Sequence, residues 1–173
     1  MYFLSGIVIT IFIQVGMLGA PPQCHHGWIY HNNSCYFLSR DTETWVEAFS
    51  YCEIYDSQLV SITDVNENDF LKAELRKRHT TGNQFPRFDS DLNICYFTSG
   101  TDAPVEGHWE WTPTGDPFTF TDWKVGEPNN SGGMENCLCL YKAHGFQWND
   151  RNCHSQDHFI CKAQSSYGSE IIG

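Results

Sequence analysis

Two stretches in the first half of the chain place apolar residues at the spacing of an α-helix. The first stretch follows Thr42 and Thr44, either of which can begin a helix, and its apolar positions are Trp45, Ala48, Phe49 and Cys52. The second begins at Asp64 with Glu67 three residues later, a capping-box pattern, and its apolar positions are Phe70, Leu71 and Leu75. A solvated helix end with a favourable dipole contact explains the basic run 76–79. The pattern predicts two amphipathic helices.

Short aromatic and apolar runs elsewhere predict strands. Segment 24–38 is typical of a hairpin, with turn residues at Gly27 and 31–34, and segment 59–62 is typical of a brief buried strand. Further strands are predicted near 94–99, 109–111, 136–141, 146–148 and 158–162.

A long stretch, 100–135, is rich in Gly, Pro, Thr, Asp and Asn. Loops of this length in compact domains are usually functional or disordered. The aromatic residues interleaved in it favour an ordered loop: Trp109, Trp111, Phe118 and Trp123. We interpret Trp123 and Trp148 as core residues rather than as exposed platforms that stack on a ligand, because tryptophans beside buried strands usually belong to the core.

Residues 1–20 carry no charged side chain, and an apolar run at 7–13 precedes Gly16, Gly19 and Ala20. This is the pattern of a signal peptide cleaved between Gly16 and Ala20. A membrane anchor is the alternative, but the run is short for a span of roughly 20 apolar residues. Segment 21–173 is long enough to fold as one domain. We therefore predict a secreted, extracellular single domain without a membrane span.

The formal net charge of -11 argues against a nucleic-acid partner, because an acidic chain repels phosphate backbones.

An even set of 8 cysteines in a chain predicted to be secreted indicates four disulfides. Spacing alone leaves about 105 pairings open. A zinc site is the alternative, with candidate ligands Cys137, Cys139, His144, Cys153 and His154. Outside the cell, paired cysteines are the more common state.

Residues with oxygen-bearing side chains gather around the end of the long loop and in the segment after it: Glu127, Asn129, Glu135, Asn149 and Asp150. Calcium takes its ligands from carboxylates, amides and carbonyls, so a set of three carboxylates and two amides suits this ion. A protein that supplies these side chains still leaves coordination positions open for another molecule.

Several separated motifs occur in an order that resembles the C-type lectin domain over nearly all of segment 21–173. They are Gly27-Trp28, Cys35-Tyr36, 45–52, 59–62, 99–102, Glu106-Gly107, Trp109, Trp111, 127–129, 135–137, 148–150, Cys153 and 159–161. Within the family, the chain resembles secreted single-domain lectins of invertebrates, including perlucin-like proteins. The resemblance implies an α+β, C-type lectin-like fold with two helices, two small antiparallel sheets and a long calcium-binding loop.

The resemblance also implies covalent details and a metal. It implies the disulfides Cys24–Cys35, Cys52–Cys161 and Cys137–Cys153, and it leaves Cys95 and Cys139 as an additional pair. It implies a cis peptide before Pro128 and a calcium ion held by the residues named above. A second, auxiliary calcium site would use Asp102, Glu106 and Glu135 together with Asn130 and Asn136, and the two asparagines remove charge relative to the family pattern.

In this family, the order Glu127-Pro128-Asn129 resembles that of lectins for mannose, glucose, N-acetylglucosamine and fucose. Two neighbouring sugar hydroxyls replace water on the calcium ion, and each hydroxyl donates to a carboxylate and accepts from an amide. The resemblance implies that Glu127 with Asn129, and Glu135 with Asn149, form the two pairs. The expected partners are glycans with equatorial vicinal hydroxyls, such as those on microbial surfaces in innate immunity. The natural glycan and the formation of oligomers are left open.

Two other functions are compatible with parts of this pattern. A glycosidase could use Glu127 and Glu135 as its carboxylate pair, but a carboxylate bound to calcium stays ionised and cannot act as a general acid, so we expect no enzyme. A matrix or biomineral module of the same fold, binding protein or mineral, remains an alternative.

Asn32 and Asn129 both begin glycosylation sequons, and we expect active protein to carry glycan at Asn32 at most.

Overall fold

The computed structural model describes residues 22–80, 91–112 and 114–167. The predicted signal peptide, 1–20, lies outside these residues. The helices are α1, Trp45–Ile54, and α2, Val65–Thr80. The strands are β1 Pro22–Gln23, β2 Ile29–His31, β3 Ser34–Leu38, β4 Gln58–Leu59, β5 Cys95–Thr101, β6 Glu110–Trp111, β7 Asp116–Pro117, β8 Glu135–Tyr141, β9 Gln147–Asn152, β10 His158–Gln164 and β11 Ser166–Tyr167.

The two predicted helices are present, and their N-terminal caps differ. Thr44 caps α1 in a reciprocal capping box with Glu47. At α2 the side chain of Asp64 accepts hydrogen bonds from the backbone N–H groups of Asn66 and Glu67, as a cap should. The predicted second half of that box is wrong, because the Glu67 carboxylate is buried and bonds to Tyr36 and Lys162 instead.

The basic run at the end of α2 is a solvated helix end only in part: Arg76 and Lys77 are exposed, whereas Arg78 is half-buried. Arg78 donates to the carbonyl of Leu38 at 2.6 Å, and Arg76 donates to the carbonyl of Gly145 at 2.8 Å. The two arginine side chains thus connect the end of α2 to β3 and to the segment before β9.

Strand β10 joins the halves of the main sheet. It pairs antiparallel with β3 on one side; on the other side it pairs antiparallel with β4 and parallel with β5, where His158 lies opposite Tyr96. Strand β5 continues antiparallel to β8, and β8 to β9. The fold class is confirmed, and the two expected antiparallel sheets are joined through the β10–β5 contact into one mixed, nine-stranded sheet. Strands β1 and β11 form a separate two-stranded sheet.

The aromatic residues of the long loop belong to the core, as predicted. Trp111 stacks on Phe118 with ring centroids 4.1 Å apart, and Trp123 packs edge-on against Trp148. Trp148 is fully buried. The apolar contacts of these rings order the loop before it reaches residue 127.

Four disulfides cross-link the described chain, and they are Cys24–Cys35, Cys52–Cys161, Cys95–Cys139 and Cys137–Cys153. These are the pairs that the sequence analysis expected. The zinc alternative is wrong, because its three cysteines are all engaged in disulfides. Within the described ranges, no helix is both long and apolar enough to cross a membrane.

Candidate functional site

The end of the long loop is held against β9 by backbone hydrogen bonds. The N–H of Lys124 donates to the carbonyl of Trp148 at 3.0 Å, and the N–H of Glu127 donates to the carbonyl of Lys124 at 2.8 Å. The peptide bond between Glu127 and Pro128 is cis, as the family resemblance implies. The loop segment that carries Glu127 therefore lies beside the strand that carries Asn149.

Asp150 fixes the loop on the other side of Pro128. Its carboxylate is fully buried and accepts two backbone hydrogen bonds, from Asn129 at 3.1 Å and from Asn130 at 2.6 Å. Asp150 lies on β9 opposite Leu138 of β8, so the sheet sets its position. A single buried carboxylate thus orients the backbone of both asparagines.

Glu127 lies close to Asp150 in an environment that disfavours two negative charges. Burial raises the pKa of Glu127 to about 7, and the hydrogen bond and charge of Asp150 and the charge of Glu135 act in the same direction. One oxygen of Glu127, Oε2, is buried without a hydrogen-bond partner. A buried carboxylate oxygen without a donor is costly for the folded protein unless a cation or a donor binds to it.

Glu135 completes the group of carboxylates at the start of β8. Its Oε2 accepts a hydrogen bond from the backbone of Ser131 at 2.9 Å, and its own N–H donates to Oδ1 of Asn130 at 3.1 Å. Burial and the charge of Asp150 raise its pKa, against the effects of the Ser131 bond and of Arg151. The nearby amide of Asn149 is buried and donates to the carbonyl of Asp150.

The auxiliary group lies beside this site. Asp102 is buried, its Oδ2 accepts from the N–H of Gly107 at 2.8 Å, and its Oδ1 has no hydrogen-bond partner. Burial raises the pKa of Asp102, and the charges of Glu106 and Asp150 add to this effect. Asn136 connects to the group through its backbone, since its carbonyl accepts from the N–H of Asp102 at 3.3 Å.

The electrostatics of the five expected calcium ligands fit a divalent cation. The charge of Asp150 disfavours the ionisation of both Glu127 and Glu135, and Glu127 has an unpartnered buried oxygen. Within the described ranges, no three His, Cys, Asp or Glu side chains are already arranged around a common metal position. The carboxylates of Glu135 and Asp150 bond to backbone N–H groups instead, an arrangement that limits repulsion among them. A bound calcium ion would supply the missing positive charge.

The fold and these residues agree with the family that the sequence matches. Residues 41–163 match the model of the Lectin C-type domain. The chain belongs to the C-type lectin domain family. Proteins of this family are generally binding proteins without catalytic activity.

Relatives of this C-type lectin chain come from different animals. It is 36% identical to C-type lectin lectoxin-Lio3 of Erythrolamprus poecilogyrus, over 96% of this chain and 97% of the relative. It is 30% identical to a perlucin-like protein of Mytilus galloprovincialis, over 89% of this chain and 95% of the relative. Among solved structures, it resembles a cow C-type carbohydrate-recognition domain determined with a GlcNAc2Man3 oligosaccharide, with TM-score 0.67, 26% identity, and coverage of 84% of this chain and 98% of that one.

Sequence reasoning missed the polar residues of α2 that bind the long loop. Asn68 and Lys72 of α2 both contact Asp122, which precedes the Glu-Pro-Asn motif. Nothing in the local pattern around α2 distinguishes them from ordinary polar helix residues.

His144, proposed as one zinc ligand, instead packs edge-on against Tyr141.

We expect calcium affinity to rise with pH through the range in which Glu127 titrates. In the metal-free protein this residue holds a proton below about pH 7, and calcium requires the ionised carboxylate. Each calcium ion bound near pH 6 should therefore release about one proton, and affinity should change by up to about tenfold per pH unit below the pKa. Calorimetric titrations in buffers of different ionisation enthalpy measure both quantities.

The same shift makes the metal-free protein less stable as the pH rises. The folded-state pKa lies above the usual value of 4.5, so the folded protein binds more protons than the unfolded chain between pH 4.5 and about 7. This contribution to stability is present at low pH and is lost as the pH rises through about 7. Calcium binding that releases no proton at pH 6 would contradict the raised pKa of Glu127 in the metal-free site.

Proposed function

We propose that this secreted domain binds carbohydrate through a calcium ion held by five residues: Glu127, Asn129, Glu135, Asn149 and Asp150. The observation that carries the proposal is the buried, unpartnered oxygen of Glu127 next to two further carboxylates. Such a group has an unfavourable charge that a divalent cation removes. The cation in turn offers open coordination positions to the hydroxyls of a ligand.

The order of carboxylate and amide side chains along the loop supports binding of mannose and related sugars. Glu127 accepts hydrogen bonds and the side-chain amide of Asn129 donates them, so a hydroxyl placed between them has a defined direction. Glu135 and Asn149 form the second pair in the same sense. Glycans with equatorial vicinal hydroxyls suit this arrangement, and a structural relative was determined with a mannose-containing oligosaccharide.

The same residues argue against a glycosidase. Such an enzyme needs one carboxylic acid that donates a proton to the leaving group. Calcium would hold Glu127 and Glu135 in their ionised forms, and neither could then serve as the acid near neutral pH. We propose a binding protein that carries out no covalent chemistry.

Secretion is part of the proposal. The charge-free, apolar segment 1–20 has the pattern of a signal peptide, and four disulfides stabilise a domain best in an oxidising compartment.

The experiment is a glycan-binding measurement on the mature domain with calcium and with a chelator. We expect retention on immobilised mannose in calcium, release by chelator, and little retention on immobilised galactose. Binding that survives chelation would contradict the calcium mechanism. Absence of glycan binding together with calcium-dependent adsorption to mineral would favour the matrix module instead.

A further inference from the structure

Asp122 precedes Glu127 in the loop, and its carboxylate is bound by side chains from two elements. From α2, the amide of Asn68 donates to Oδ2 at 2.9 Å, and Lys72 forms an ion pair with the same oxygen. From β9, the amide of Gln147 approaches Oδ1 at 3.5 Å. The ion pair is largely shielded from solvent, with the Lys72 and Asp122 side chains 11% and 21% exposed.

Asn68 binds the loop and β9 at once. Its amide nitrogen donates to Asp122, and its amide oxygen accepts a hydrogen bond from the indole N–H of Trp148 at 2.9 Å. Asn68 and Trp148 are both buried. A buried amide with both ends bonded to different segments fixes the distance between those segments.

Backbone hydrogen bonds continue this connection to the expected calcium ligands. The N–H of Trp148 donates to the carbonyl of Asp122, and the N–H of Lys124 donates to the carbonyl of Trp148, both at 3.0 Å. Glu127 lies just beyond Lys124, and Asn149 follows Trp148 directly. The contacts from α2 thus lie at the point where the two ligand-bearing segments meet.

Asp122 is suited to remain ionised in this cluster. Burial alone would raise its pKa, but the hydrogen bonds from Lys72 and Asn68 and the charge of Lys72 together hold the pKa below its usual value. The ion pair with Lys72 is therefore intact over the pH range in which calcium binds.

We propose that Asn68, Lys72 and Asp122 form a clamp that positions the calcium loop against β9 before calcium binds. The inference rests on the proposed function. The clamp lies outside the group of expected calcium ligands, and it joins the loop to β9 at the point where the two segments that carry them meet. Calcium then binds a site whose segments are already aligned, which lowers the entropic cost of binding. These are positioning residues and make no contact with the ion.

The structure offers a matched control in a second ion pair, between α2 and β10. Lys162 pairs with Glu67 of α2 at 2.6 Å, on the side that faces β3 and β10 rather than the loop. Lys72→Met and Lys162→Met each remove one positive charge and one ion pair with a shielded partner. The loss of positive charge alone would raise the affinity for a cation in both variants.

The test measures calcium affinity by calorimetry and amide hydrogen exchange of the metal-free proteins. We expect Lys72→Met to weaken calcium binding about tenfold, the lower range for loss of an outer-sphere contact, and Lys162→Met to change it by less than about twofold. Exchange at the Lys124 and Trp148 amides should quicken in Lys72→Met only. Asp122→Asn, which keeps the size of the side chain, should show the same effects if Lys72→Met does not fold.

Equal affinities in the Lys72 and Lys162 variants, or unchanged exchange at both amides, would overturn the clamp. Failure of the unmodified protein to bind calcium would overturn the proposed function instead. The exchange comparison would still decide whether α2 holds the loop, because it requires no metal.

Discussion

Replacing Asp150 by asparagine should lower calcium affinity by about 100-fold or more, since loss of a charged ligand costs at least as much as loss of its outer partners. Asp150 is fully buried, its carboxylate accepts from the backbone of Asn129 and Asn130, and its charge acts on Glu127. An asparagine can accept only through one side-chain oxygen, and it carries no charge for the ion. Calorimetric titration with calcium measures the effect.

Glu67→Gln is the control for this change. It replaces another buried carboxylate by an amide, but its partners are Tyr36 and Lys162, away from the loop. Calcium affinity in this control should stay within about twofold of the unmodified protein, as for changes at distant sites. Thermal unfolding in chelator should show that Asp150→Asn still folds. Calcium affinity that survives in Asp150→Asn would remove Asp150 from the ligand set.

Exchanging the acceptor and donor around Pro128, as Glu127→Gln with Asn129→Asp, should greatly weaken mannose binding while calcium still binds. The double variant keeps one carboxylate and one amide, but the direction of the hydrogen bonds offered to the sugar reverses. Each mismatched group at the sugar costs roughly 1–3 kcal/mol, so two mismatches should weaken mannose binding by about 100-fold. The loop backbone should persist, because the N–H of Asn129, which the substitution leaves in place, donates to Asp150.

Affinity for galactose should rise relative to mannose in the same variant, although less than mannose affinity falls. The measurement is calorimetric titration with both sugars at saturating calcium. Glu53→Gln with Asn66→Asp makes the same chemical exchange at exposed positions and should bind mannose like the unmodified protein. Unchanged mannose affinity in the Glu127/Asn129 variant would show that these residues do not contact the sugar, and the proposed lectin mechanism would fail.

Local signals in the sequence were sufficient for most elements of this fold. The stripe from Trp45 to Cys52 and the cap at Thr44 describe α1 closely, because helix periodicity and capping depend on neighbours within a few residues. The aromatic residues of the long loop identified it as ordered for a similar reason, since so many large apolar side chains require burial.

The contacts of single polar side chains were harder to predict from the sequence. Glu67 fitted a capping box by its spacing from Asp64, yet in the fold it binds Tyr36 and Lys162. Arg78 looked like a solvated helix end, and it reaches the carbonyl of Leu38. A charged residue in a helix has many partners within reach, and packing of distant segments selects among them.

The sequence by itself determined the family, the two helices, the approximate strands and the set of residues offered as calcium ligands. Only the tertiary structure decided how those residues are held. It placed 122–124 beside Trp148, joined the two sheets through β10 and β5, and put Asn68 and Lys72 under the loop. Motifs and periodicity report the needs of neighbouring residues, whereas contacts between residues far apart in the chain depend on how complete elements pack.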